Sequence, residues 1–376
     1  MQILYKKQTI FRVPMSTGRY WLSRFVAMTQ SQWFEFGNIE SFLISKKLLK
    51  IPVISPIYIT GLARSGTAVL LEIVSSHRSM ASHRYYDFPF TMIPYTWRKF
   101  LKLFSRSAYT PQERSHFDGL QVTPSSPEAF EEQLWLHFFP ERLTETSLQG
   151  LGGQTKNEAF ETFYHAHIRK LILSEGADRY TAKGNYNLGR LAYFQRLYPD
   201  AKFVVMIRHP LAHIASLMKQ HQIFCEMEQN DLRLLDYMRQ TGHFEFGLDR
   251  RVLDLSDNTT IPEEIHATWR RGEEVLGWAM YWDMVYGELA RIMLGSPELA
   301  KQMLIIQYES LCHEPERVLT EIEHHCDLSF DVNTKEHWLK NLRSPSYYEA
   351  KYTAEEQKSI TAITSKTAKF FGYNES

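Results

Sequence analysis

Residues 57–71 have the pattern of an anion-binding site. They read as a short apolar strand, a loop bounded by Gly61 and Gly66, and then a helical pattern. Backbone N–H groups of such a loop and the positive end of the following helix converge on one point, where a phosphate or sulfate group is favoured. A nucleotide-binding P-loop has the same glycine spacing but carries a lysine where this chain has Thr67. The cation of this loop is instead Arg64, although an ordinary glycine turn with a surface arginine is the alternative.

A second pattern that suits a phosphate lies at residues 203–216. The apolar run 203–207 predicts a strand that delivers Arg208 to the carboxyl edge of a sheet. Pro210 then begins a helix, and Ser216 follows about two turns along it. An arginine and a serine in this arrangement can hold one phosphate together. The alternative is that Arg208 is only a buried ion-pair partner.

Together the two patterns resemble those of sulfotransferases that use 3'-phosphoadenosine 5'-phosphosulfate (PAPS), in a bacterial or cytosolic form with features of the tyrosylprotein and carbohydrate types. The resemblance covers residues 57–87 and 179–330 discontinuously. It implies an α/β three-layer sandwich, with a central, mostly parallel sheet of the P-loop NTPase-like sulfotransferase fold and helical insertions. It also implies in-line transfer of a sulfuryl group from PAPS, without a metal, to a hydroxyl or amine of a small-molecule, sugar or phenolic acceptor.

The resemblance also implies roles for individual residues. The loop would hold the phosphosulfate, and Arg64 would offset the charge that develops on the bridging oxygen. Arg208 and Ser216 would hold the 3'-phosphate, and Lys183, at the end of an earlier strand, would lie near the donor sulfate. Tyr308, at another strand end, either lines the nucleotide site or packs. The predicted donor-binding residues are Leu62, Ala63, Arg64, Ser65, Gly66, Thr67, Ala68, Arg208, Ser216 and Tyr308.

The general base is the part of the site where the resemblance is weakest. Tyr85 stands near the position at which tyrosylprotein sulfotransferases have a glutamate. Asp87 is the nearest carboxylate, and its aromatic neighbours are expected to raise its pKa toward a useful value. His83 is the second candidate, and a turn or capping role for Asp87 is the alternative. The predicted catalytic residues are Arg64, Asp87, His83 and Lys183, whereas His77, His209 and His213 are predicted to be structural.

Two other functions stay open on the sequence alone. A P-loop kinase or NTPase shares the loop, but it needs a lysine after the second glycine and an aspartate at the end of a second strand to hold magnesium. This chain has Thr67 and Arg208 at those places. A catalytically degenerate nucleotide-binding scaffold also fits, because the base is not fixed.

Strand and helix patterns alternate along the chain, which predicts an α/β sheet covered on both faces. We expect a single domain over residues 1–376, with a helical extension at 1–50 and acceptor-side insertions at 85–153 and 217–268. Strands are predicted at 57–60, 80–82, 180–184, 202–207 and 303–307, and helices at 67–76, 188–197 and 314–325.

Composition restricts the partners and the compartment. Lysine plus arginine and aspartate plus glutamate number 43 each, so no polyanion-binding surface is indicated and nucleic acid is not an expected partner. Three widely spaced cysteines favour a reducing compartment, and no apolar run is long enough to span a bilayer. We expect a cytoplasmic protein. The amphipathic helices of the first fifty residues are expected to pack on the domain, with a peripheral membrane contact or a homo-oligomer contact as alternatives.

Overall fold

The computed structural model describes residues 16–104, 111–113, 120–255, 260–342 and 351–373. Parts of both predicted insertions therefore lie outside the described residues. The α-helices are α1 (Thr17–Met28), α2 (Gln30–Leu43), α3 (Ser45–Leu48), α4 (Thr67–Ser75), α5 (Pro94–Phe104), α6 (Glu132–Phe138), α7 (Glu158–Glu175), α8 (Leu191–Leu197), α9 (Pro210–Asn230), α10 (Leu232–Thr241), α11 (Thr260–Arg270), α12 (Glu274–Gly295), α13 (Pro297–Lys301), α14 (Tyr308–His313), α15 (Pro315–Cys326), α16 (Val332–Asn341) and α17 (Ala354–Phe370). The strands are β1 (Ile57–Thr60), β2 (Met80–Ala81), β3 (Gln112–Glu113), β4 (Gln121–Val122), β5 (Ser147–Gln149), β6 (Arg179–Lys183), β7 (Lys202–Ile207), β8 (Val252–Asp254) and β9 (Met303–Gln307).

Five strands form a central parallel sheet in the order β2-β6-β1-β7-β9. Ile57 pairs with Thr181 on one side and with Lys202 on the other, so β1 lies in the middle. Because all five strands run in the same direction, the carboxyl ends of β6, β1, β7 and β9 lie along one edge. This is the edge at which an open α/β sheet binds its ligands.

The alternation of side chains along β1 explains why the sheet has helices on both faces. Ile57 and Ile59 pack in one core cluster, with apolar side chains of α4 and α15. Tyr58 points the other way, into a larger core with side chains of α7, α8 and α12. All three residues are fully buried. The predicted α/β fold with a covered parallel sheet is therefore confirmed.

The two predicted insertions meet each other. β5, in the first, pairs in parallel with β8, in the second, with Ser147 opposite Val252. The predicted start of the second insertion at residue 217 falls inside α9, which continues to Asn230. The predicted helix at 188–197 also differs, because a 3-10 helix at Asn185–Arg190 precedes the shorter α8. That the chain forms one domain stays a prediction.

The first fifty residues contain the expected helices, α1 to α3, from Thr17 onward. The helix α2 contacts α7 on the body of the protein. In the described part of the chain, no helix combines the length and apolar character needed to cross a membrane.

Candidate active site

The loop between β1 and α4 has a backbone that most residues could not adopt. Gly61 and Gly66 have φ angles of 144° and 102°, and Arg64, despite its side chain, has a φ of 71°. A Cβ atom at Gly66 would lie 2.6 Å from the Tyr308 ring. One at Gly61 would collide with the Met206 carbonyl. Both glycines are therefore required by backbone conformation and by close approach of neighbours.

Two buried side chains hold this loop in place. The Tyr286 hydroxyl accepts from the Leu62 amide at 3.2 Å and donates to the Met206 carbonyl at 3.1 Å, which ties the loop to β7. The His213 Nε2 atom lies 2.8 Å from the Ala63 carbonyl. Burial lowers the pKa of His213 to about 3, so the ring is neutral and Nε2 carries the donated hydrogen. His213 has the structural role that the sequence predicts.

The two predicted arginines meet at the carboxyl edge of the sheet. The Arg64 Nε atom donates to the Ser216 hydroxyl at 3.3 Å, and the Arg208 guanidinium donates to the Arg64 carbonyl at 3.2 Å. The Arg208 guanidinium also stacks 4.7 Å from the centre of the Tyr308 ring. Four predicted residues thus form one cluster: Arg64 in the loop, Arg208 directly after β7, Ser216 in α9 and Tyr308 at the start of α14. Arg208 and Ser216 are nearly buried.

The remaining loop residues surround the start of α4. Ser65 and Thr67 are buried, as are Leu62 and Ala63, whereas Ala68 is partly exposed. The Ser65 amide donates to the Leu62 carbonyl at 3.2 Å, which closes a tight turn within the loop. The N–H groups of the first turn of α4 point toward this loop, as helix geometry requires.

Lys183 ends β6, next to β1, and lies opposite Ile59 in the sheet. Its side chain is largely buried. Its charge contributes to lowering the pKa of Glu245 and opposes the rise in the pKa of His243, so it faces that pair. The sequence-based placement of Lys183 at a strand end on this edge is confirmed. Its catalytic role stays a prediction.

A hydrogen-bonded chain that the sequence analysis did not predict leads away from the loop. The Thr67 hydroxyl donates to the Asn185 side-chain oxygen at 3.4 Å, and the Asn185 amide donates to Glu245 at 2.8 Å. The other Glu245 oxygen lies 3.3 Å from His243 Nδ1. Glu245 also lines a small cavity together with Leu62 of the loop. A histidine and a carboxylate are therefore coupled to the start of α4.

The two ionisable groups of this hydrogen-bonded chain, His243 and Glu245, affect each other's pKa. Burial alone would lower the pKa of His243, but the charge and hydrogen bond of Glu245 raise it. Burial alone would raise the pKa of Glu245, but His243, Asn185 and Lys183 lower it to about 2. Glu245 is therefore ionised at neutral pH, and His243 is a stronger base than a solvated histidine. The only signal in the sequence was the spacing His243-x-Glu245 within the second predicted insertion.

The expectation that Asp87 has a raised pKa is wrong. Arg98 donates to both Asp87 oxygens, at 2.7 and 2.6 Å, and the Arg84 amide donates at 2.8 Å. Burial would raise the pKa of Asp87, but the charge and hydrogen bonds of Arg98 outweigh it and lower the pKa to about 2. Asp87 is fully buried and closes a 3-10 turn at Tyr85–Asp87. Its contacts match the turn and capping role that was the alternative.

His83 belongs to the same buried network. Its Nδ1 atom lies 3.3 Å from Asp87, and its Nε2 atom lies 2.9 Å from the Nε2 atom of His167. Both ring nitrogens therefore have a protein partner, and the side chain is 2% exposed. His83 therefore links the end of β2 to α7. Because its side chain is buried, an acceptor molecule would have little access to it.

Comparison with known proteins identifies the group to which the chain belongs. A family model described as the sulfotransferase family matches residues 56–251, just over half of the chain. The chain belongs to the sulfotransferase family. The match includes β1, the loop, Lys183, Arg208, Ser216 and the His243–Glu245 pair. It confirms the predicted family and shows an enzyme, and because the family is that of sulfotransferases, the kinase alternative is set aside.

Two solved sulfotransferase structures are similar to this chain at low sequence identity. Sulfotransferase STF9 from Mycobacterium avium is 12% identical, with a TM-score of 0.50, over 89% of this chain and 82% of that chain. Sulfotransferase STF1 from Mycobacterium tuberculosis is 13% identical, with a TM-score of 0.46, over 95% and 85% of the two chains. No curated protein sequence matches this sulfotransferase. Within its described ranges, no group of three or more His, Cys, Asp or Glu side chains is placed to hold a metal ion.

Proposed function

We propose that this sulfotransferase uses PAPS and transfers its sulfuryl group to a hydroxyl or amine of a small-molecule or carbohydrate acceptor. The observation that carries the proposal is the cluster of Arg64, Arg208 and Ser216 beside the start of α4. The chain from Thr67 to His243 adds a base to the same edge of the sheet.

The side chains of the cluster suit a ligand with several phosphate groups. Two guanidinium groups, a hydroxyl and a helix N-terminus are the donor set that binds phosphate and sulfate oxygens in proteins. The glycine at position 66 leaves room that a Cβ would fill, between the loop and the Tyr308 ring. PAPS supplies the activated sulfuryl group. We assign the loop and Arg64 to its phosphosulfate and Arg208 with Ser216 to its 3'-phosphate.

Charge stabilisation and positioning would account for most of the rate. Arg64 would offset negative charge at the start of α4, and Lys183 would add a further positive charge from the adjacent strand β6. Groups fixed in advance need no reorganisation during the reaction, which is the main advantage of a preorganised site. The buried Tyr286 and His213 contacts supply that rigidity.

His243 is our candidate for the group that takes the acceptor proton. A carboxylate can only accept a hydrogen bond, so Glu245 fixes the hydrogen on His243 Nδ1. Nε2 of the neutral ring is then the atom that accepts a proton. This assignment replaces Asp87 and His83, whose polar atoms are engaged in a buried ion-pair network.

The compartment is part of the proposal. None of Cys225, Cys312 and Cys326, which all lie among the described residues, is in a disulfide. Three reduced cysteines are typical of a protein in a reducing compartment, so we place this enzyme in the cytoplasm.

Donor binding and transfer are tested separately. Calorimetry with adenosine 3',5'-bisphosphate tests the binding site, and transfer from PAPS to a panel of phenols, sugars and amines tests the reaction. We expect binding and turnover on at least one acceptor class. Binding without transfer to any of them would favour the scaffold alternative, and absence of binding would overturn the assignment of PAPS. His243→Gln should bind the bisphosphate with unchanged affinity.

A further inference from the structure

The helices α2 and α5 present large apolar side chains to solvent. On α2, Phe36, Ile39 and Leu43 follow one another at helical spacing, and Phe42 lies beside them with 79% of its surface exposed. Leu49 follows α3 and is 77% exposed. On α5, Phe100 is 47% and Leu103 is 77% exposed. We call these seven residues the α2–α5 face: Phe36, Ile39, Phe42, Leu43, Leu49, Phe100 and Leu103.

A row of aromatic rings joins the two helices into one surface. The ring centres of Phe36 and Trp33 lie 5.4 Å apart, and those of Trp33 and Phe90 lie 4.8 Å apart. From Phe90 the row continues to Trp97 at 4.5 Å and from Trp97 to Phe100 at 5.5 Å. The exposed rings of Phe36 and Phe100 are thus the two ends of one packed row. Exposed apolar side chains grouped in this way differ from the scattered single residues that a protein surface ordinarily exposes.

The charged residues of the same elements are mostly positive. Lys47 donates to the Tyr95 hydroxyl at 3.2 Å, and the Lys99 ammonium lies 4.4 Å from the centre of the Tyr95 ring, so α3 and α5 bring two lysines together. Glu40 is buried and paired with Lys170 at 3.1 Å. Among the described residues of these three helices and Lys50, Glu35 is the one exposed carboxylate. The exposed lysines are Lys46, Lys47, Lys50, Lys99 and Lys102.

We propose that the α2–α5 face binds the surface of a bilayer that contains anionic lipid. The apolar side chains would enter the boundary between headgroups and acyl chains, and the lysines would extend their ammonium groups to the phosphates. Basic residues beside an apolar helical face add attraction to anionic lipid, which is the charge complementarity that decides this assignment. A symmetric dimer through this face is disfavoured, because its interface would bring the lysines of two copies against each other. The helices would lie on the membrane, since none of those described can span one.

Co-sedimentation of the full chain with vesicles tests this proposal. We compare vesicles of phosphatidylcholine alone with vesicles that hold about 30% phosphatidylglycerol. We expect binding to the anionic vesicles and at least roughly tenfold weaker binding to the neutral ones. The double variant Phe42→Ser, Leu43→Ser should bind the anionic vesicles at least roughly tenfold more weakly, because both exposed apolar side chains are lost. Lys46→Glu with Lys50→Glu should weaken binding to anionic vesicles and leave the weak neutral binding unchanged.

The matched control is Leu294→Ser, which removes an apolar side chain that is 71% exposed at the end of α12. It should bind vesicles as the unchanged protein does. The proposal is overturned if the unchanged protein does not bind anionic vesicles, or if Leu294→Ser weakens binding as much as the α2–α5 variants. It is also overturned if light scattering shows a dimer that Phe42→Ser, Leu43→Ser dissociates while vesicle binding persists. Affinity for adenosine 3',5'-bisphosphate should be the same in all variants, so the outcome is independent of the proposed donor site.

Discussion

The Arg64 Nε atom lies 3.3 Å from the Ser216 hydroxyl, although 152 residues separate the two in sequence. The first residue belongs to the loop after β1, and the second lies in α9, which follows the neighbouring strand β7. The contact shows that the two patterns recognised in the sequence belong to one site. It also shows that the Ser216 hydroxyl holds the Arg64 side chain in position.

We expect Arg208→Ala to weaken the binding of adenosine 3',5'-bisphosphate by about 2 to 5 kcal/mol, the range for loss of a desolvated charge partner. Arg208 is 6% exposed and its guanidinium stacks on the Tyr308 ring, so its charge is largely shielded from solvent. Isothermal titration calorimetry measures the change. Arg291→Ala, which removes an exposed arginine on α12, is the control and should bind normally. Unchanged affinity in Arg208→Ala would remove this residue from the site.

We expect Gly66→Ala to abolish donor binding and Gly272→Ala to preserve it. Both glycines have positive φ angles, 102° and 82°, so each substitution brings backbone strain of about 1 kcal/mol or more. At Gly66 the new Cβ would also meet the Tyr308 ring, whereas at Gly272 it meets nothing within 4 Å. Comparison of the two variants separates the effect of backbone strain from the effect of a steric clash with Tyr308. Equal loss of bisphosphate binding in both variants would contradict this explanation.

The pH profile of turnover tests the role of His243. The proposed base acts when its ring is neutral, so the rate should rise with pH through the pKa of His243, which Glu245 raises. Glu245→Gln removes that charge and should move the midpoint of the rise to lower pH, although Lys183 and Glu128 still act on the ring. His243→Gln should lower turnover by a factor of about 10² to 10⁴. Steady-state rates measured over a range of pH give both the midpoint and the turnover rate. A midpoint that does not move in Glu245→Gln would contradict the proposed role of the His243–Glu245 pair.

We expect Asp87→Asn to lower the free energy of unfolding. Any loss of activity should be a consequence of that lower stability. The substitution removes one of the two carboxylates that pair with the 3%-exposed Arg98, and Glu175 stays as the other at 2.9 Å. We expect the free energy of unfolding to fall by up to about 3 to 5 kcal/mol, the range for breaking a buried ion pair. The pKa of Asp87 is about 2 in the folded protein against an ordinary 3.8, so its stabilisation is complete above 3.8 and disappears as the pH falls toward 2. The contribution of Asp87 to the free energy of unfolding should therefore fall by about 2 to 3 kcal/mol over this pH range.

Urea denaturation at several pH values measures both effects on Asp87→Asn. The variant should lose part of the acid-dependent destabilisation that the unchanged protein shows. Asp178→Asn, at an exposed aspartate, is the control and should behave as the unchanged protein. A variant with normal stability but greatly reduced turnover would return Asp87 to the list of candidate bases.

Much of the sheet could be predicted because its strands are buried on both faces. Such strands appear in the sequence as unbroken apolar runs, and the predicted bounds of β1, β7 and β9 agree with the structure. The loop and the Arg208–Ser216 pattern were also recognisable, because local backbone geometry requires particular residues at particular spacings. The start of α8 was not predicted, because a 3-10 helix and an α-helix share the same apolar spacing over one turn.

The proposed base could not be predicted from the sequence, because distant residues set the environment of each candidate. The aromatic neighbours of Asp87 in sequence suggested a raised pKa, but Arg98, eleven residues away, approaches it through the fold and reverses the direction. His243 is coupled to the loop through Asn185, which precedes Glu245 by 60 residues. Local composition carries no information about such contacts.

The neutral His213 ring has a consequence for how this enzyme responds to acidity. Its hydrogen bond to the Ala63 carbonyl involves no charged form above a pH of about 3. This support of the loop after β1 therefore does not titrate over the whole physiological pH range. A change of pH in this range would act on the proposed base, His243, and would leave this support of the proposed donor-binding loop unchanged.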